Sequence, residues 1–156
     1  MPARIAKHPI HPMLVPIPIG LWLFSFICDL VSVSGGGAEW QVVAFYNMVA
    51  GVIGALVAAV FGFVDMLSLD GERKTTALTH MTINLSIVVL YLINIWLRYT
   101  GAVSESAVTW LSLVSIALLV VSGWLGGKMV YVLGVAVDTG TEATPARTPG
   151  SARVTS

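Results

Sequence analysis

Three histidines and one aspartate are the residues of this sequence whose types suit metal chemistry. His8 and His11 lie just before the first long apolar stretch, Asp65 lies at the end of the second, and His80 lies at the start of the third. Imidazole nitrogens and carboxylate oxygens are accepted ligands of zinc and iron. The four side chains are therefore a candidate site for a divalent metal, zinc or iron, if the chain brings them to one level.

His11 and His80 alone suggest a second chemistry. Two imidazoles on opposite sides of a porphyrin ligate the iron of a b-type haem, and Gly62 is predicted to leave room beside such a planar ring. In a third interpretation, the histidines only hydrogen bond to carbonyl groups or lipid headgroups, and Pro9 and Pro12 set the direction in which the first helix begins. The residues leave these three alternatives open.

Composition predicts that the chain is surrounded by lipid. Of its 156 residues, 56% are hydrophobic and 10% are charged, whereas soluble domains carry about 25% charged residues. The formal net charge is zero, and the sequence offers no basic patch for nucleic acid. No nucleophile elbow, phosphate-binding loop or cysteine metal motif occurs. These features argue against a hydrolase or kinase of the soluble type, and no catalytic residue is predicted.

Four apolar stretches are long enough to cross a hydrocarbon core of about 30 Å as helices of about 20 residues. They predict helices at about residues 13–33, 40–69, 79–99 and 107–125. Short links make sequential helices antiparallel neighbours, which predicts an all-α, four-helix up-and-down bundle over residues 1–138. Residues 70–79 are interpreted as a charged loop, residues 129–137 as a continuation of the fourth helix or an interfacial segment, and residues 139–156 as a disordered tail.

The distribution of cations predicts the orientation. In a four-span arrangement, Arg98 lies alone on one side and the other Lys and Arg residues lie on the opposite side. The positive-inside rule then puts both termini, and with them the histidines, at the cytoplasmic face of a bacterial inner membrane. A cleaved signal peptide is the competing interpretation, but the first apolar run is too long for one and contains Asp29.

Polar residues on the predicted helices form what we call the polar seam. Its members are Asp29 on the first helix, Asn47 on the second, and Asn84, Tyr91, Asn94 and Arg98 on the third. In lipid, such groups must turn toward one another, so packing and hydrogen bonding between helices are expected. An aspartate at a helix centre costs about 2.5–3.5 kcal/mol, so Asp29 and Asp65 need a partner, a proton or water. Asp29 lies toward the outer interface, where a structural or snorkelling role is expected.

Several motifs resemble a known family. They are residues 8–20 (HPIHPMLVPIPIG), residues 62–65 (GFVD), His80 with Asn84, and residues 123–131 (GWLGGKMVY). Together they are similar to the uncharacterised bacterial membrane proteins of domain-of-unknown-function family 2231, over nearly the whole chain up to Asp138. The resemblance implies a four-helix integral membrane domain and implies little about activity.

The same resemblance bears on the cofactor. Members of the family look like modules attached to cytochrome c-type domains in some bacteria, which implies a redox context. Where the family often has a histidine after Leu14 and Val15, this chain has Pro16. If that histidine were an axial ligand in relatives, the resemblance would argue against haem here.

The sequence thus favours a metal- or haem-binding accessory subunit of a membrane redox process. One alternative is a non-catalytic structural module that binds a membrane protein partner or a second copy of itself. Another is a small transporter that uses the polar seam. In each case the lipid bilayer is the surrounding medium.

Overall fold

The computed structural model describes the backbone at residues 4–5 and 8–137 and the side chains of residues 10–137. Two short strands, β1 (Arg4–Ile5) and β2 (His8–Pro9), pair antiparallel at the start of the chain. The helices that follow are α1 (Ile10–Leu14), α2 (Pro16–Val31), α3 (Glu39–Leu67), α4 (Gly71–Thr100) and α5 (Glu105–Tyr131). A π-helical turn, Ser32–Gly36, joins the end of α2 to the link before α3.

Prolines divide the first membrane segment into α1 and α2. Pro16 and Pro18 have no N–H group to donate, so the backbone hydrogen bonds of a continuous helix are missing at their positions. Val15 between the two helices keeps helical angles, φ −54° and ψ −36°, and its N–H still donates to the carbonyl oxygen of His11 at 3.2 Å. The chain therefore continues through the break, and α1 carries His11 directly onto the end of α2.

Four segments are long and apolar enough to cross a membrane: Ile10–Gly36, Glu39–Leu67, Gly71–Thr100 and Glu105–Tyr131. Helix α2 packs against α3 and α5, and α4 packs against the same two helices. Helices α2 and α4 are therefore diagonal to each other, as are α3 and α5. The predicted all-α, four-helix membrane bundle is confirmed.

Two predicted boundaries differ from the observed ones. Residues 71–79, interpreted as part of a charged loop, form the first turns of α4, because residues such as Glu72, Arg73 and Lys74 favour helix once the chain leaves the hydrocarbon. Helix α5 runs on to Tyr131, so the apolar segment at 129–137 begins as its continuation and then turns. Charged residues therefore indicate where a span leaves the hydrocarbon, but the helix can continue beyond that point. The predicted tail, 139–156, lies outside the described residues.

The centre of the bundle is aromatic. Trp22 on α2 and Tyr91 on α4 stack face to face, with ring centroids 4.5 Å apart and planes 11° from parallel. Both side chains are buried, as are Met48 on α3 and Ile87 on α4. Large apolar side chains elsewhere on every helix point outward, as expected for a bundle whose surroundings are lipid.

Candidate histidine site and the opposite polar cluster

The imidazole of His11 is held by the neighbouring helix. Its Nδ1 lies 2.8 Å from the carbonyl oxygen of Ala58 on α3. Because a carbonyl oxygen can only accept, Nδ1 carries the proton of this hydrogen bond. In the neutral ring, Nε2 then holds the lone pair that can ligate a metal.

His80 on α4 repeats this arrangement with α5. Its Nδ1 lies 3.0 Å from the carbonyl oxygen of Ser122 and 3.0 Å from the hydroxyl of the same residue. Asn84, one turn further along α4, donates to the Ser122 hydroxyl at 2.6 Å. The carbonyl again requires the proton on Nδ1, so His80 also keeps its lone pair on Nε2.

A glycine lies beside each histidine ring. A Cβ atom built at Gly62 would come 2.8 Å from Cε1 of His11, and one built at Gly126 would come 3.5 Å from Cε1 of His80. Gly62 thus makes room for the imidazole itself. The prediction that this glycine leaves space beside a planar cofactor ring is wrong, because His11 already fills that space.

Of the four predicted ligands His8, His11, Asp65 and His80, the structure describes the side chains of the last three. His11 and His80 lie on diagonal segments of the bundle. Asp65 is half-buried on α3, three residues beyond Gly62. Within residues 10–137, whose side chains are described, no three His, Cys, Asp or Glu residues form a group that could hold a metal ion. The side chain of His8 lies outside those residues.

A second polar cluster lies at the other end of the bundle. Asp29 and Arg98 each follow a histidine by 18 residues, which places them about 27 Å further along the helices. The Oδ2 atom of Asp29 accepts hydrogen bonds from Nη2 of Arg98 and from the hydroxyl of Ser112, both at 2.8 Å. The histidine pair and the ion pair therefore occupy opposite ends of a span close to the thickness of the hydrocarbon core.

Asn94 connects the parts of this cluster. Its Oδ1 accepts from Nε of Arg98 at 2.8 Å, and its Nδ2 donates to the hydroxyl of Ser112 at 2.9 Å and to the carbonyl of Val108 at 3.0 Å. Asn94 and Ser112 are fully buried. One amide thus orients the guanidinium of α4 and fixes α5 against it.

The model of the predicted membrane proteins with domain of unknown function 2231 (DUF2231) matches residues 7–139. The chain belongs to this family. No curated protein and no solved structure matches it. The family is one of membrane proteins whose function is unknown, so the DUF2231 assignment supports the membrane location and says nothing of a cofactor.

The DUF2231 bundle uses the other predicted seam residues in different ways. Asp29 is 1% exposed and pairs with Arg98, so of the two expected roles, structural or snorkelling, the structure agrees with the structural one. Asn47 donates to the carbonyl of Val43 in its own helix at 2.8 Å, and no bond from it to another described helix is present. The hydroxyl of Tyr91 is buried without a hydrogen-bond partner in the described part of the chain.

Sequence reasoning missed the partners that hold the two histidines in this DUF2231 protein. Ala58 contributes only a backbone oxygen, which leaves no trace in residue type. Ser122 contributes its backbone oxygen and also a hydroxyl, which lies between His80 and Asn84. The available signal was the helical spacing of Ser112, Ser115 and Ser122 in the fourth apolar stretch, with Ser122 at the depth of His80.

Proposed function

We propose that this protein holds a b-type haem in the membrane, with Nε2 of His11 and Nε2 of His80 as the iron ligands. The observation that carries the proposal is that each imidazole is hydrogen bonded through Nδ1 to a backbone carbonyl oxygen of the neighbouring helix, at 2.8 Å for His11 and 3.0 Å for His80. Metal-ligating histidines almost always donate their other ring N–H to a carbonyl or carboxylate, which fixes the ring orientation and raises the basicity of the ligating nitrogen. Both rings meet that condition.

The number of ligands favours haem over a bare metal ion. Structural zinc takes four protein ligands and catalytic zinc takes three. Among the described side chains, no three candidate ligands form a group that could hold a metal ion. A porphyrin supplies four nitrogens of its own, so two imidazoles complete the coordination of its iron. His8 and Asp65 would be additional ligands only if a divalent ion, zinc or iron, took the place of haem.

The location fits a membrane cofactor. His11 and His80 belong to helices that lie diagonally, and cofactor sites of helix bundles are built from side chains on facing helices. With the haem we propose a role as an accessory subunit of a membrane redox process, in a bacterial inner membrane with both termini in the cytoplasm, an orientation that the cation distribution supports.

The experiment that tests the proposal is purification in detergent after expression with a haem supply, followed by absorption spectroscopy and element analysis. We expect a Soret band with close to one iron per chain. The band should be lost or strongly shifted in His80→Ala and in His11→Ala, and retained in Thr82→Ala, a matched variant on the exposed face of α4.

Other results would reject the haem. If the protein bound stoichiometric zinc or iron without a Soret band, and the metal was lost when His8 or Asp65 was replaced, the site would hold a metal ion and not haem. A protein that takes up neither metal nor haem, and still folds, would leave a structural or partner-binding module.

The orientation has its own test. Fusions of alkaline phosphatase, which is active only outside the cytoplasm, should be inactive at both ends of the chain and active in the links after residues 36 and 100. Activity at either end would remove the argument that the histidine pair lies at the cytoplasmic face.

A further inference from the structure

The two halves of the chain are the same structural unit, and this is clearest in their first helices. His80 follows His11 by 69 residues, and the same interval separates other inward-facing residues of α1 and α2 from those of α4. The pairs at this interval are Pro18 with Ile87, Trp22 with Tyr91, Ser25 with Asn94, and Asp29 with Arg98. In each of these pairs both residues face the bundle, although their types differ.

The second helices repeat with an interval of 64 residues. The pairs in α3 and α5 are Ala44 with Val108, Met48 with Ser112, Gly51 with Ser115, Ala58 with Ser122, and Gly62 with Gly126. Both residues are buried in each of the first four pairs, and both are half-buried in the glycine pair. The two intervals differ by five residues, which is the length of the π-helical turn Ser32–Gly36 that the second half lacks.

The hydrogen bonds repeat as well. His11 bonds to the carbonyl of Ala58, and His80 bonds to the carbonyl of Ser122, which is the equivalent residue. At the other end, the Ser25 hydroxyl donates to the carbonyl of Ala44 at 2.9 Å, and Asn94 donates to the carbonyl of Val108 at 3.0 Å. Equivalent side chains therefore bind equivalent carbonyls in both helix pairs.

These repeats define a pseudo-twofold axis along the bundle. Helices α2 and α4 run in the same direction and lie diagonally, so a half-turn about the bundle axis exchanges them. Trp22 stacks on its own equivalent, Tyr91, and Asp29 pairs with its own equivalent, Arg98. Such contacts occur only where the axis passes between the two side chains. His11 and His80, equivalent in the same way, lie on either side of that axis.

Residue identity concentrates at the histidine end. Among the inward-facing pairs named above, the aromatic, the hydroxyl–amide and the charged pairs have all diverged between the halves. Two pairs are identical, His11 with His80 and Gly62 with Gly126, and in each half the glycine lies against the histidine ring. Among these pairs, the two halves are thus identical only where each presents an imidazole and the glycine beside it.

We infer that the two imidazoles act as equivalent ligands of one metal on the pseudo-twofold axis, so that the haem iron is six-coordinate and has no open position for an exogenous ligand. This inference rests on the proposed function and adds the coordination state to it. If His11 and His80 both held the iron, carbon monoxide or oxygen could bind only after one imidazole had dissociated.

The test uses the full-length protein with haem bound, in detergent. Wild type should show a low-spin ferric electron paramagnetic resonance signal, and its dithionite-reduced form should show no spectral change under carbon monoxide. His11→Ala and His80→Ala should each give a high-spin, carbon monoxide-binding haem, and added imidazole should restore the low-spin spectrum in both. The wild-type measurement needs no variant, so it decides the question even if a variant fails to fold.

The outcomes separate the two proposals. A haem protein whose wild type is high-spin or binds carbon monoxide would overturn the equivalent ligation and leave haem binding in place. The same would follow if one alanine variant kept the wild-type spectrum. A well-folded wild type that takes up no haem when supplied with it would overturn the proposed function and this inference together.

Discussion

Asp29 on α2 and Arg98 on α4 form an ion pair across the centre of the bundle, with 2.8 Å between Oδ2 and Nη2. Their side chains are 1% and 8% exposed. Helices α2 and α4 are diagonal, and this pair and the Trp22–Tyr91 stack connect them directly across the axis. The pair also satisfies two charges that lipid would otherwise leave unsolvated.

Removing one member of the pair is expected to destabilise the protein strongly. Arg98→Ala leaves a buried carboxylate whose remaining partner is the Ser112 hydroxyl, and breaking a buried pair in this way costs about 3–5 kcal/mol. The measurement is the free energy of unfolding in mixed micelles as dodecyl sulfate is added. Lys128→Ala is the control, because its ion pair with Glu72 is exposed and exposed pairs contribute about 1 kcal/mol or less. Equal losses in the two variants would contradict the structure.

Replacing both members should cost less than replacing one. In the double variant Asp29→Leu with Arg98→Met, no charge is left behind and most of the volume is filled, and such exchanges of buried pairs are often neutral. We expect the double variant to recover at least half of the stability lost in Arg98→Ala, measured in the same micelle titration. If the double variant were as unstable as Arg98→Ala or less stable than it, the two residues would not be partners.

The four spans could be predicted from sequence because lipid imposes a single solution on the backbone. Every peptide group in the hydrocarbon must bond within its own helix, so a long apolar run is enough to identify a span. The start of α4 could not be found in that way, since residues 71–79 lie where water also satisfies a loop. Helix ends outside the hydrocarbon depend on local preferences that hydropathy does not report.

The residue types of the candidate histidine site could be predicted from sequence, but the groups that hold the two histidines could not. His11 and His80 could be placed at one depth from the spans alone, and both are held by carbonyls that any residue could supply. The repeat relating them was not predicted, because the halves differ at nearly every inward-facing position and the interval changes from 69 to 64 residues between their helices. Equivalence became visible once hydrogen bonds and burial could be compared.

Gly62→Ala tests the packing that positions His11. The new Cβ would come 2.8 Å from the imidazole, so the ring must move and its bond to Ala58 must lengthen or break. We expect a loss of about 1–3 kcal/mol, as for other overpacked sites. The haem-bound protein should also show a weakened or high-spin spectrum.

Two other glycines serve as controls for this substitution. Gly20→Ala should leave both stability and spectrum unchanged, because nothing lies within 4 Å of a Cβ there. Gly126→Ala should have a small effect, since its Cβ would make an ordinary contact with His80 at 3.5 Å. If Gly62→Ala behaved like Gly20→Ala, His11 would not occupy the position described.

Tyr91→Phe separates the ring of Tyr91 from its hydroxyl. The ring stacks on Trp22 at the centre of the bundle, whereas the hydroxyl is buried without a partner among the described residues. A buried polar group left unsatisfied costs about 1–3 kcal/mol, so removing the oxygen should leave stability unchanged or raise it by about 1 kcal/mol. Tyr91→Ala removes the ring as well, and truncating a buried aromatic side chain costs about 3–5 kcal/mol. Unfolding of the two variants in the same micelles gives the comparison, and a Tyr91→Phe protein as unstable as Tyr91→Ala would show that the hydroxyl has a partner and that the stack contributes little.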